Sequence, residues 1–250
     1  MSEIFMDHKF EKIVLNVPHA SLEGFYDKSL SGWDMNAYHI NLDVMKWTDL
    51  YTDFIFGYDD SRIEMVRAQH SRFIVDFERL QGDDLEAEGN GIVYERFGTW
   101  KRSGLTDEMR QQLMGLWKEY HQKLLKAVEG DKSLLIDCHS FPSSHCRDID
   151  ICIGFNDDYT TPDSDLIDIV VGHFKEYGYR VGVNAPYSNA IDPLRNCGVD
   201  TCDTYNFKSI MIEVSKRTYM NELHHTINVN SHFATQLSNA IKTLYHKILI

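Results

Sequence analysis

Short apolar runs punctuate this chain, and stretches with a helical period separate most of them. The runs are KIVLNV (12–17), SRFIVDF (71–77), SLLIDC (133–138), DIDICIGF (148–155), YRVGVN (179–184) and SIMIEVS (209–215). They are rich in Ile and Val, which pack well on a pleated surface, and each has the length of a strand. Between them lie NLDVMKWTDLYTDFIF (41–56) and segments at 106–130, 164–178 and 230–249. In the first of these, Val44, Trp47, Leu50, Tyr51, Phe54 and Ile55 fall mainly on one side of a helix. The second opens with Thr106 as a candidate N-cap and ends at Gly130. Strands alternating with helices predict an α/β sheet with helices on both faces. No repeat, low-complexity stretch or linker interrupts the pattern, so residues 1–250 are read as one domain.

In such sheets, sites form beyond the carboxyl ends of the strands. Polar residues gather there in this chain. The first run leads into His19, the second into Asp76, Glu78 and Arg79, and the third into His139. The fifth ends in Asn184, with Tyr187 shortly after, and the last carries Glu213 near its end. His19 and His139 are the obvious imidazoles for a catalytic zinc, which takes three His or carboxylate ligands and leaves a position for water. The third ligand should then be a carboxylate. Such an ion acidifies water and polarises a carbonyl. Glu213 is the candidate general base, and Arg79 or Arg72 could fork onto a substrate carboxylate.

The bulk numbers narrow the partners. Twenty-five Lys and Arg against 38 Asp and Glu give a formal net charge of −13. A general nucleic-acid or anionic-membrane surface needs a basic face, so neither partner is expected. A small anionic substrate remains compatible, because a few arginines can dominate locally. The N-terminal MSEIFMDHKF is polar, and no run approaches the length of a membrane span. The five cysteines, Cys138, Cys146, Cys152, Cys197 and Cys202, include no CxxC pair and are read as free thiols in a cytoplasmic protein.

The segments VPHAS, SRFIVDFER, LLIDCHS, VNAPYS and SIMIEVSKRTYM occur in the order seen in the N-formylglutamate amidohydrolase family, and the resemblance spans about residues 12–220. It implies a mixed, largely parallel central sheet of zinc carboxypeptidase-like fold. It also implies a zinc-dependent hydrolase of an amide next to a carboxylate. By resemblance the metal ligands are His19, His139 and Asp49, the last from TDLYTDFIF, with Asp43 as runner-up. Glu213 corresponds to the base. Arg79 matches the arginine of the family's DLNR motif, and Arg72, Asn184 and Tyr187 join it as expected substrate-binding residues. Two positions depart from the pattern: Glu78 replaces the motif's asparagine, and Asn189 stands where glycine is common. An acid at 78 would repel a second acidic group, so N-acyl derivatives of neutral or polar amino acids are expected to rival N-formylglutamate. Alternatives are a carboxypeptidase-like hydrolase of a small or cell-wall peptide, and a non-catalytic metal- or ligand-binding relative.

Other polar residues have plainer readings. His145, His224 and His225 are read as packed or surface residues, and Tyr219 as core. Asp137 could orient a ligand from behind or close a hydrogen bond inside the fold. Arg72 could serve Asp76 or Glu78 as an ion-pair partner instead of the substrate.

Overall fold

The computed structural model describes residues 9–33, 38–200, 204–222 and 228–250. Its centre is a six-stranded sheet of β1 (Lys12–Val17), β2 (Ile63–Arg67), β5 (Ser133–Phe141), β6 (Ile151–Gly154), β7 (Val181–Val183) and β8 (Phe207–Ser215). Two small ribbons, β3 (Arg96–Phe97) with β4 (Trp100–Lys101) and β9 (Met220–Asn221) with β10 (Asn228–Val229), lie outside it. The order across the sheet is β2-β1-β5-β8-β6-β7. All neighbours are parallel except β6 and β8, which run antiparallel. The sheet is therefore mixed and largely parallel, as expected.

Side-chain alternation divides the interior in two. Ile13, Leu15 and Val17 of β1, Leu134 and Ile136 of β5, and Ile210 and Ile212 of β8 enter one core. Short α3 (Thr52–Phe56), α5 (Ser164–Glu176) and α7 (Ser231–Ile248) cover that face. Val14 and Leu135 point the other way, under α4 (Asp107–Ala127) and α6 (Pro193–Cys197). Burying each such aliphatic side chain is worth roughly 1.5–3 kcal/mol, so both helical layers are held chiefly by apolar area. The long helices begin where capping chemistry predicts. Thr106 accepts from the Met109 N–H, Asp163 from Leu166 and Asn230 from Phe233.

Two expected elements differ. SRFIVDF (71–77) is not a strand. Its backbone turns at Ser71, whose carbonyl accepts from the Ile74 and Val75 N–H groups, and buried Arg102 donates to the Ile74 carbonyl at 2.9 Å. Those partners satisfy the main chain without a sheet neighbour. The strand position falls instead to β2, where Glu64 and Arg67 interrupt the apolar residues, as suits a one-sided edge.

The single helix expected over 41–56 is broken into α2 (Tyr38–Trp47) and α3. The Asp49 N–H leaves the helical ladder and donates to the His19 carbonyl at 2.9 Å, and Tyr51 adopts a left-handed φ of 67°. The break sets Asp49 directly beside the end of β1. At the far side of the sheet, the chain after β7 folds back tightly. A Cβ at Gly182 would lie 2.2 Å from the Ala185 carbonyl oxygen, so only glycine permits the return. Asn189, in the same loop, takes a left-handed φ of 69°, a backbone conformation that glycine adopts without strain.

Candidate active site

The carboxyl ends of β1, β5 and β8 lie side by side and bring the polar residues together. His139 on β5 is the direct register partner of Glu213 on β8. Asp137, His139, Met211 and Glu213 share one face of the sheet, because side chains alternate along each strand. His19, just past β1, is fully buried, and its ring centroid is 5.1 Å from that of His139.

Each imidazole is held from behind by its own aspartate. His19 Nε2 lies 2.8 Å from Asp76 Oδ1, and His139 Nε2 lies 2.9 Å from Asp137 Oδ1. Both Nδ1 atoms turn toward one oxygen, Asp49 Oδ2, at 3.6 Å from His19 and 3.2 Å from His139. Ser140 Oγ donates to the other Asp49 oxygen at 3.0 Å. His19 Nδ1 is buried and has no hydrogen-bond partner. An orphaned imidazole nitrogen beside a shared carboxylate offers donors of the kind a divalent ion takes. Donors about 2.0–2.2 Å from a tetrahedral zinc lie about 3.4 Å apart, close to the two distances from Asp49 to the imidazoles.

A second carboxylate approaches the same pair. Glu78 lies with His19 and His139 in a cluster whose candidate ligand atoms are within 4.8 Å of one another. Its Oε2 is 3.8 Å from His19 Nδ1, but its Oε1 approaches His139 at Nε2, the nitrogen that Asp137 already engages. Asp49 meets both outward-turned nitrogens, whereas among the described residues the carboxylate whose oxygen lies mutually within range of donor atoms on both histidines is Glu78, on the more exposed side. Asp43, the runner-up, accepts from the Trp100 indole at 2.8 Å and touches neither histidine.

The aspartates behind the histidines are anchored in turn. Asp76 also accepts from Arg72 Nη2 at 2.9 Å, the Tyr94 hydroxyl at 2.6 Å and the Glu78 N–H at 3.1 Å. Asp137 accepts from Asn16 Nδ2 at 2.6 Å and the Ile191 N–H at 3.0 Å. The Tyr120 hydroxyl holds Asn16 in place. Asp137 therefore fixes the His139 ring and closes a hydrogen-bond chain into the fold.

The electrostatics follow from this crowding. Burial would raise the Asp49 carboxyl, but hydrogen bonds to His139 and His19 and the charge of buried Lys216 hold it well below the usual carboxylate range. Burial also opposes charge on His139, yet Asp137 and Glu78 outweigh it and raise its affinity for a proton. Glu213 goes the other way. Burial, reinforced by Asp49 and Glu78 and opposed by His139, pushes its carboxyl up to about 8. Its Oε2 is buried and has no partner.

The site opens into a cleft of about 590 Å³. Arg72, Arg79 and Tyr187 line it with Asp49, Glu78, His139 and Glu213. Arg72 is tied to Asp76, the ion-pair alternative raised by the sequence. Arg79 Nε is 3.8 Å from Asp76 and has no hydrogen-bond partner. Asn184 does not line the cleft: its side chain accepts from the Phe155 N–H at 3.0 Å. The reason is topological. β7 runs antiparallel to β8, so its carboxyl end points away from the site.

His145, read as a packed or surface residue, faces the cleft, with its ring 5.4 Å from Trp47 and its Nδ1 bonded to the Tyr187 hydroxyl. No single motif marks it; only its place shortly after His139 could have raised the question. Lys216 was also missed. It is fully buried and donates to the Lys46 carbonyl at 2.5 Å. Tyr219 is a core residue, as expected. His224, His225 and Cys202 lie outside the described residues, and the other four cysteines are free.

Known proteins agree with this architecture. A family model described as N-formylglutamate amidohydrolase matches residues 11–220. The crystal structure of an N-formylglutamate amidohydrolase from Ralstonia eutropha JMP134 is similar, with a TM-score of 0.72 at 19% identity, over 96% of this chain and 94% of that one. A gene product of Agrobacterium tumefaciens superposes with a TM-score of 0.62 at 15% identity, over 95% of this chain and 88% of that one. No curated protein sequence matches at a significant level. At these identities the two structures speak for the fold alone.

Proposed function

The chain belongs to the N-formylglutamate amidohydrolase family, and on that premise we propose that it is a metal-dependent amidohydrolase cleaving the amide bond of a small N-acyl amino acid. The observation that carries the reading is the pair of imidazoles, each fixed at Nε2 by its own aspartate, with both Nδ1 atoms facing Asp49. Fixing one ring nitrogen so that the other is presented to an ion is the usual way a protein prepares metal-binding histidines.

His19, His139 and Asp49 would hold the ion, and two nitrogens with one oxygen suit zinc, though nickel, cobalt and iron accept the same set. When bound, such an ion supplies Lewis acidity, acidifying water and polarising the substrate carbonyl. The protein's own residues do the rest. Glu213, in register with His139 and lining the cleft, takes the proton from the attacking water and delivers it to the departing nitrogen. Arg79, whose Nε lacks a partner, receives the substrate carboxylate. Asp76 and Asp137 keep the imidazoles aimed.

Elemental analysis of purified protein and two variants tests the ligand set. The parent and Asp43→Ala are expected to carry about one zinc per chain, and Asp49→Ala to lose it while staying folded. The reverse order for the two variants would move the ligand role to Asp43, and retention by both would leave Glu78 as the acidic ligand.

A further inference from the structure

One wall of the cleft is an unbroken arc of rings. Phe97 lies 6.2 Å from Trp47, Trp47 5.4 Å from His145, His145 5.8 Å from Tyr187, and Tyr187 5.6 Å from Phe141, measured between centroids. All five line the cleft. Trp47, Phe97 and Tyr187 are only half-buried, so apolar ring surface faces the place a substrate would occupy.

The charged wall is unbalanced. Among the described residues, the cleft's guanidiniums are Arg72 and Arg79, against the carboxylates of Asp49, Glu78 and Glu213. Arg72 is committed to Asp76 at 2.9 Å and to the Tyr94 hydroxyl at 3.3 Å. A divalent ion would bring two positive charges, which Asp49 and Glu78 already match. Lys46 lies over the Trp47 ring at 5.4 Å but does not line the cleft. One substrate carboxylate thus finds Arg79. Within the cleft a second would face either carboxylates or the aromatic arc; the next guanidinium, Arg195, lines the adjoining cavity beyond Glu78 and Arg79, so inside the cleft nothing offsets the lost hydration.

We propose that the cleft selects an N-acyl amino acid bearing a single carboxylate and an apolar, preferably aromatic, side chain, and discriminates against the dicarboxylate N-formylglutamate. The inference rests on the amidohydrolase reading of the same site. Arg79 holds the α-carboxylate while the side chain packs on Trp47 and Phe97, where edge-to-face ring contacts add to apolar burial. Specificity of this kind is a difference between two ligands, and the second carboxylate, desolvated against the rings without a partner, supplies its unfavourable half.

The test compares N-formyl-L-phenylalanine with N-formyl-L-glutamate on zinc-loaded protein. kcat/KM is measured on the parent, and equilibrium binding on zinc-loaded Glu213→Gln by calorimetry. The phenylalanine derivative is expected to be favoured at least about tenfold in both, the scale that a well-filled apolar pocket provides. Trp47→Leu and Phe97→Leu should each narrow the ratio. A ratio below about ten, or one favouring glutamate, overturns the specificity and leaves the amidohydrolase reading intact. Failure of the parent to hydrolyse either compound overturns the amidohydrolase reading and this inference with it.

Discussion

Replacing Asp76 by asparagine removes one acceptor oxygen from the most heavily used carboxylate in the site. Four donors converge on Asp76: His19 Nε2 at 2.8 Å and Glu78 N–H at 3.1 Å on Oδ1, Arg72 Nη2 at 2.9 Å and the Tyr94 hydroxyl at 2.6 Å on Oδ2. Asparagine keeps the shape but can accept on one side only. If its oxygen serves His19, Arg72 and Tyr94 meet an amide N–H₂; if it flips, His19 loses its support. Both arrangements break the buried pair with Arg72, whose side chain is 15% exposed, and breaking such a pair costs about 3–5 kcal/mol. Loss of the partner behind a metal-binding histidine typically costs about 10- to 100-fold in metal affinity. Asp76→Asn should therefore unfold at lower urea concentration and also release zinc to a chelator at least about tenfold more readily. A variant that is destabilised yet holds zinc within about threefold of the parent would refute the orienting role and make Asp76 purely structural.

Two further outcomes follow from the same geometry. Glu213→Gln removes a half-buried carboxylate whose Oε2 has no partner and which lies among other acids, so its melting temperature should equal or exceed the parent's while turnover falls at least about 100-fold; a less stable but fully active variant would remove Glu213 from the mechanism. Asp150 is a control away from the site: burial raises its carboxyl, but hydrogen bonds from Arg180 and Arg217 more than offset this and bring it down to about 2. Its stabilisation is present above the unfolded carboxylate value near pH 4 and lost as pH falls through about 2. Asp150→Asn should accordingly be about 1 kcal/mol less stable than the parent at neutral pH, after allowance for solvent screening, with the gap closing in acid; a gap independent of pH would contradict the assignment.

The parts of this site that the sequence exposed are those encoded by a strand and its next residue. His19, His139 and Glu213 follow from apolar runs that end in polar groups, and β1, β5 and β8 are adjacent and parallel, so their ends do meet. Asp49 came from resemblance, because its position depends on a helix break that helical periodicity cannot reveal: Trp47 and Leu50 continue the apolar stripe across it. Asn184 misled because strand direction is not written in a strand's composition, and β7 runs opposite to β8. The 71–77 segment misled for another reason. Its β-branched residues are buried, but Arg102, distant in sequence, satisfies its backbone in place of a neighbouring strand. Glu78 was legible as an acid in the pocket. Its approach to both histidines was not, since it depends on how that irregular segment turns.

The most direct test of the central claim is a titration of metal-stripped protein with zinc while hydrolysis of N-formyl amino acids is followed. If His19, His139 and Asp49 form the one catalytic ion site, turnover should be absent without the ion, rise linearly and level off at about one equivalent per chain. Full turnover in the stripped protein, or no turnover at any loading, would contradict the account.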